Sequence, residues 1–454
     1  MLSVVNPEAI EQQVCQALEK EQYDELQAFL SDLHPADVAD VLDRLGDDEK
    51  LRVFRLLDQE QAAEVLGETG FDTTRELIEH LPPGQAGDLL DMLPMDDVAE
   101  ILGEDVPDRQ HDLLAVMEPS DAAEVRTLLQ YPPKSAGRLM TARFVRVHGD
   151  MTATAAIQYL RKVDAEVETI NDLYVLDDEG CLRGVAGLRE IITAVPEQRI
   201  SEFMVTQLIT ATPETDQEEV ARLVSQYNLS ALPILEANRR MLGIVTVDDV
   251  IDVLVEENTE DVLRFGGVET GATDESYFST PILWAVRRRV VWLLLLFFTG
   301  TVTVNVLGYF EDELQQVVAL SFFIPLLIGT GGNTGAQTVS TLIRGLALGE
   351  VRLHDVWKVL LRELTGGVLL GLLLGVVAFG MALVNGHAMN IATVVGSAIV
   401  VICTWANVMG ALVPLIARKF SLDPALVSAP MIATLVDATG LAIYLTIAKV
   451  ILGL

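Results

Sequence analysis

The chain has 454 residues, a formal charge of −35 and a mean hydropathy of +0.36, and half of its residues are hydrophobic. From Pro281 onward it holds ten of its 31 Lys/Arg and only eight of its 66 Asp/Glu, so the negative charge lies almost entirely ahead of that point. An acidic body excludes the basic stripe that nucleic acid demands and favours divalent cations as counter-ions. Three scattered cysteines, Cys15, Cys181 and Cys403, predict neither a disulfide framework nor a zinc site. The start, MLSVVNPEAIEQQV, lacks the basic and apolar regions of a signal peptide, so the soluble part is expected in the cytoplasm.

Residues 1–131 read as helices with a recurring unit: HPADVADVLDRL from His34, QEQAAEVLGET from Gln59, PPGQAGDLLDML from Pro82, MDDVAEILGE from Met95 and PSDAAEVRTLL from Pro119. The aligned small residues Ala39, Ala63, Gly87, Ala99 and Ala123 stand 24, 24, 12 and 24 positions apart, which predicts short helix pairs stacked as a solenoid. Pro and Asp at the unit starts suit helix N-termini.

Residues 132–200 and 201–258 switch to short β-branched strands alternating with helices, and the pattern occurs twice. LMTARFVRVHGDMTATAAIQYLRK is echoed by FMVTQLITATPETDQEEVARLVSQ, and LRGVAGLREII by MLGIVTVDDVI. Met140 and Met204 are 64 residues apart, Gly184 and Gly243 59. The doublet resembles a tandem pair of CBS repeats. In that family a G-x-x-T-x-x-D string holds an adenosine nucleotide such as ATP, and Gly243, Thr246 and Asp249 match it. The first repeat has Gly184, Gly187 and Glu190 instead, so the resemblance implies at most one nucleotide site, with a purely structural pair as the other reading.

Residues 259–282 are read as an acidic connecting helix and linker, the helix beginning near 249. Asp249, Asp252, Glu256, Glu257, Glu260 and Asp261 crowd it, and like charges at i and i+4 destabilise a helix. A divalent cation or the cluster Arg287, Arg288 and Arg289 would relieve them.

Residues 283–454 predict five membrane spans, at about 290–309, 317–343, 356–384, 393–416 and 425–451, each near the length a bilayer needs. Arginines and lysines before the first span, between the second and third and between the fourth and fifth put the N-terminus in the cytoplasm and the C-terminus outside. PLLIGTGGNTGAQ at 325–337 is expected to break its helix, which at membrane depth is tolerated where freed carbonyls line a cavity. In the last span Asp437 is read as the one carboxylate deep in a span, and such a residue marks an ion path. Carboxylate and carbonyl oxygens are hard-cation chemistry, suited to magnesium. One copy of five spans does not enclose a symmetric pore, whereas two copies supply ten.

The order of these parts, with GTGGNTGAQ at 329–337, LDPALVSAP at 422–430 and ATLVDATGLAIY at 433–444, resembles the MgtE-type magnesium channel and transporter family over essentially the whole length. The resemblance implies a multidomain membrane protein: an N-terminal α-helical solenoid, α/β tandem CBS domains and a five-helix all-α transmembrane domain. It further implies a homodimer in the bacterial inner membrane, not an enzyme, with a magnesium-selective pore between spans two and five. Asp437 would hold a hydrated ion through its waters, with Asn333 and Ala433 lining the pore. Magnesium bound among acidic cytosolic surfaces would hold the connecting helix, or plug, closed. Glu64, Asp96, Glu100, Glu218, Asp249, Asp252, Glu257, Glu260, Asp261 and Asp423 fall on the matching regulatory positions. Asn228 and Ala429 depart from the family pattern, where an acid and an Asn are usual. Three alternatives stand beside this reading. One is a carrier of manganese or cobalt, for which Asp437 lacks the soft ligands. The others are an intramembrane hydrolase and a membrane-anchored adenylate sensor.

Overall fold

The computed structural model describes residues 7–104, 107–163, 167–269, 282–347, 349–420, 422–423 and 427–454. The linker expected within 270–281, and residues 424–426 of the string LDPALVSAP, lie outside the described residues. The chain divides into two compact units, and the division falls inside one helix, Val247–Phe265: residues through Glu257 belong to the first unit and those from Asn258 to the second.

The first unit opens with short helices in two rows. Pro35–Leu42, Gln59–Glu68, Pro83–Leu90 and Pro107–Val116 pack successively in one row, and Asp47–Phe54, Phe71–His80, Met95–Glu104 and Pro119–Leu128 in the other. The 24-residue repeat is thus a solenoid. Local chemistry starts the helices: Asp58 accepts the amide of Gln61 at 2.9 Å, and prolines occupy first-turn positions at 35, 83 and 119. Ala39, Ala63, Gly87 and Ala99 are buried at the row contacts, and a Cβ on Gly87 would stand 2.8 Å from Val116. Ala123 departs from this register: it is exposed, and Ala122 takes the inward place, because side-chain direction follows the helix face and not the motif alignment.

The two α/β repeats follow. Strands β1 (Phe144–Val147), β2 (Thr169–Leu176) and β3 (Leu182–Gly187) form a sheet in that order, β1 parallel and β3 antiparallel to β2. In the second repeat β4 (Ala231–Leu235) and β5 (Met241–Thr246) pair antiparallel, and Ala211 bridges Ile234 in parallel, as β1 does β2. Each repeat lends its lead-in to the other: Thr141 bridges Ile244 of β5, and Val205 bridges Val185 of β3. The equivalent glycines permit this crossing. A Cβ on Gly184 would stand 2.5 Å from Met204 Sδ, and one on Gly243 2.5 Å from the carbonyl of Thr141.

Among the described residues, the second unit contains five helices long and apolar enough to cross a membrane: Ile282–Tyr309, Val318–Ala347, Leu353–Val384, Met389–Lys419 and Ala429–Leu452, referred to below as the first to fifth spans. Arg287, Arg288 and Arg289 lie within the first of these helices instead of preceding it. The glycine-rich string is not unwound as the sequence suggests. The second span is a 3₁₀ turn, Val318–Phe323, running into a continuous α-helix, Ile324–Ala347, that contains all of GTGGNTGAQ. Pro325 sits in its first turn, where a missing N–H costs nothing. The glycines serve contact instead: a Cβ on Gly331 would lie 2.7 Å from Ile402, and on Gly335 2.8 Å from Ile432. Gly367, Gly371 and Gly375 do the same for the third span. A Cβ there would come within 2.7 Å of Thr404, Val400 and Gly396 of the fourth, a small-residue membrane interface.

Candidate ion path and acidic clusters

Asp437 occupies the middle of the fifth span and is partly buried. The second span approaches it at Gly332, where a Cβ would be 3.4 Å from both Asp437 Oδ1 and the Ala433 side chain. Ala433 is partly buried one turn before Asp437, while Asn333 is exposed on the second span. Gly332, which sequence reasoning did not single out, is therefore the second-span position that faces the carboxylate. The fifth span starts at Ala429 behind the N-cap Ser428, whose hydroxyl also accepts from Trp292 Nε1 at 3.1 Å. The second and fifth spans are also tied where Tyr444 donates to the carbonyl of Leu320 at 2.9 Å, and Lys449 Nζ of the fifth span donates at 2.5 Å to Glu313 of the short helix Glu311–Gln316 that precedes the second.

A second carboxylate within a span helix, Glu363, stands two turns inside the helix Val356–Val384 of the third span, next to Arg362, partly buried and within reach of Asn407 of the fourth. It was not singled out from the sequence.

In the first unit, several of the expected regulatory acids share one electrostatic field. Asp96 is 7% exposed and its Oδ1 has no hydrogen-bond partner. Burial first, then the charges of Asp97, Asp249 and Glu168, hold its carboxyl well above the usual carboxylate range. Asp97 is pushed up to about 7 by burial and by Asp249, Glu100, Glu168 and Asp252. Burial likewise raises Asp249, Asp252 and Glu168, and Glu68 of the solenoid adds to the shift of Asp252. Asp97, Glu168 and Glu68 were missed from sequence because they come from separate elements. A buried set of carboxylates whose ionisation is mutually unfavourable fits a divalent cation. Among the described residues, no three or more His, Cys, Asp or Glu gather as a ready metal cage.

Other expected positions have protein partners. Glu257 accepts from Gln217 at 2.7 Å, and Lys134 lies 2.8 Å from Glu256 and 3.7 Å from Glu257. Glu260 and Asp423 both pair with Arg264. Lys134 and Arg264 thus supply positive charge to the acidic helix. Asp261 is partly buried on that helix, whereas Glu64, Glu100 and Glu218 are exposed on theirs. Asn228 holds the left-handed C-cap of Gln217–Tyr227 (φ 50°, ψ 50°), a place where Asn is favoured.

The string Gly243, Thr246, Asp249 is used internally. Gly243 lies under the Thr141 carbonyl, and buried Thr246 donates both its hydroxyl and its amide to Asp249, closing the N-terminus of Val247–Phe265. A cavity of about 570 Å³ lies instead beside the first repeat's counterpart, lined by Asn171, Asp172, Gly187, Arg189, Glu190 and Ser230 among others.

Comparisons with known proteins converge. The family model described as a divalent cation transporter matches residues 324–447, that of the MgtE intracellular N domain matches 33–134, and the CBS domain model matches 136–197 and 200–256. The chain is 43% identical over 328 residues to a magnesium transporter MgtE of Thermus thermophilus, covering 72% of each. It is 38% identical over 325 residues to one of Bacillus subtilis, covering 71% of each. The crystal structure of the cytosolic domain of the Mg2+ channel MgtE in complex with ATP aligns with 54% of this chain and 99% of its own. The TM-score is 0.51 and the identity 35%.

Proposed function

The chain belongs to the MgtE magnesium transporter family, and from that premise we propose that it is a magnesium-selective channel. It admits the ion to the cytoplasm down its gradient and closes as cytosolic magnesium rises. The observation that carries this is Asp437 within the fifth span, its carboxylate faced by Gly332 of the second span. A carboxylate at that depth costs several kcal/mol unless it serves an ion or a partner. Asp437 holds the hydrated ion, and Asn333 and Ala433 line its route. Exposure of Asn333 on the single chain supports a path completed by a second copy in a homodimer.

Regulation rests chiefly on the acids of the first unit. Asp96, Glu100, Asp249 and Asp252 take up magnesium when it is plentiful, with Glu64, Glu218 and Glu257 as further acids of that unit, and Glu260, Asp261 and Asp423 are the regulatory acids of the second unit. Removal of the ion leaves them to repel. The helix Val247–Phe265 carries Asp249 and Asp252 near its start, and Phe265 at its end packs against the apolar cluster that includes Val339, Ala406 and Val436. The first unit lies in the cytoplasm, the C-terminus outside, and the membrane is a bacterial inner membrane. The protein is not read as an enzyme.

Magnesium flux into proteoliposomes, with magnesium varied on the side of the acidic unit, tests both parts. Selective flux that falls as that concentration rises is expected; absence of flux from folded protein at low magnesium would refute the channel. A second reading is favoured by the 570 Å³ cavity and by the ATP complex of the related cytosolic domain: an adenosine nucleotide binds beside Glu190 and tunes closure. Calorimetric titration with ATP of the wild type and of Glu190→Ala decides it, equal affinity arguing against this location.

A further inference from the structure

Beside Asp437 the second span meets its neighbours through Gly331, Gly332 and Gly335, small residues that oppose rotation only weakly, while its larger buried side chains Leu327, Val339, Leu342 and Leu346 lie elsewhere along the helix. Three polar side chains supply what the glycines lack. Thr338 Oγ1 has two acceptors for its one proton, Asn407 Oδ1 of the fourth span at 3.0 Å and the Thr334 carbonyl of its own helix at 3.2 Å, the amide being the nearer. Asn407 Nδ2 in turn donates to the third span, to the carbonyl of Glu363 at 3.3 Å and to its Oε2 at 3.4 Å. Thr338 is 6% and Asn407 3% exposed, so neither turns to water. Gly332 faces Ala433 and Asp437. Thr338 is six residues later, about 240° around the helix, and faces the fourth span, where a Cβ on Gly410 would stand 3.0 Å from Thr338 Cβ.

We propose that Glu363 is a positioning residue for the ion path: through Asn407 and Thr338 it sets the rotation of the second span, and so the face presented to Asp437. The inference rests on the reading of Asp437 as the ion site. An amide is the side chain that can accept from a hydroxyl and donate to a carboxylate at once. Hydrogen bonds between membrane helices contribute about 0.6 kcal/mol on average and at most about 1.7, so the chain steers a helix more than it holds the bundle together. That places Glu363 two turns inside the third span for a reason other than ion contact.

The test is a crosslink that needs no ion flux. In the full-length protein with Cys15, Cys181 and Cys403 replaced by Ala, Gly332→Cys is combined with Ala433→Cys; a Cβ at 332 lies 3.4 Å from that of Ala433, within disulfide reach. Oxidation is expected to slow at least about threefold on adding Asn407→Leu, matching the loss of one such bond, and by less on adding Glu363→Leu, which keeps the main-chain carbonyl as an acceptor for Asn407. The two together should do no more than Asn407→Leu alone, since the carboxylate acts only through Asn407. Glu363→Gln, which keeps an acceptor, is expected to crosslink at the parental rate. In the same variants without the two cysteines, the Leu substitutions should lower maximal magnesium flux with little change in the half-saturating concentration, and Glu363→Gln should restore it. Unchanged crosslinking in both Leu variants, or additive effects, overturns the proposal. So does a Glu363→Gln protein that crosslinks normally yet carries no magnesium, which would make Glu363 a direct ion contact. Failure of the parent to conduct would sink the channel reading and leave the crosslinking result standing.

Discussion

Arg264, in the last turn of the acidic helix, pairs with Asp423, which lies 159 residues further on, ahead of the fifth span. It pairs also with Glu260 one turn back. Two of the positions expected to regulate are therefore joined by a tethered positive charge. An exposed or half-exposed pair contributes about 0.5–1 kcal/mol. Arg264→Ala should then raise the magnesium concentration needed for closure by about two- to fivefold, with Arg264→Lys less affected. Flux against magnesium on the side of the acidic unit measures it, and an unshifted curve would separate this pair from gating.

Asp437→Ala should cut magnesium flux at least about tenfold while the melting temperature stays within a few degrees, because a partly buried carboxylate without a hydrogen-bonded network adds little to stability. Normal flux from the Ala variant would remove Asp437 from the path.

The crossed glycines of the two repeats make a graded prediction. Gly184→Ala meets the flexible thioether of Met204, which can move aside, whereas Gly243→Ala meets the backbone carbonyl of Thr141. Overpacking costs about 1–3 kcal/mol, and Gly243→Ala should fall at the upper end and Gly184→Ala at or below the lower. Denaturant titration of both variants checks the order.

Asp97, pushed up to about 7, and the other raised carboxylates bind protons in the native state that the unfolded chain has already released. Their contribution is therefore complete below the ordinary carboxylate range and is lost as pH rises through about 7. In chelator, the protein should melt several degrees lower at pH 8 than at pH 6. Magnesium should restore more at pH 8, since it takes the ionised form. A melting temperature that climbs from pH 6 to pH 8 in chelator would contradict this account.

Local pattern carried much of this molecule. The 24-residue period announces the helix rows, the doubled strand pattern the α/β pair, and the apolar runs the five spans, since each depends on residues near in sequence. Asp437 stood out for the same reason: an acid inside an apolar run is visible without knowing its neighbours. Partnership was decided by tertiary structure alone. The string GTGGNTGAQ looks like a helix breaker, yet packing against Ile402, Ile432 and Ala433 rewards the absence of side chains, and the segment stays helical. Gly243, Thr246 and Asp249 look like a nucleotide cradle in the sequence, and the fold adds what the sequence does not show: the crossing of the other repeat over Gly243 and the capping of the next helix by Thr246 and Asp249. Glu363 and Arg264 gained meaning only when Asn407 and Asp423, distant in the chain, were brought beside them. Hydropathy and period are properties of a segment, whereas the role of a glycine or a charge is set by what the fold places against it.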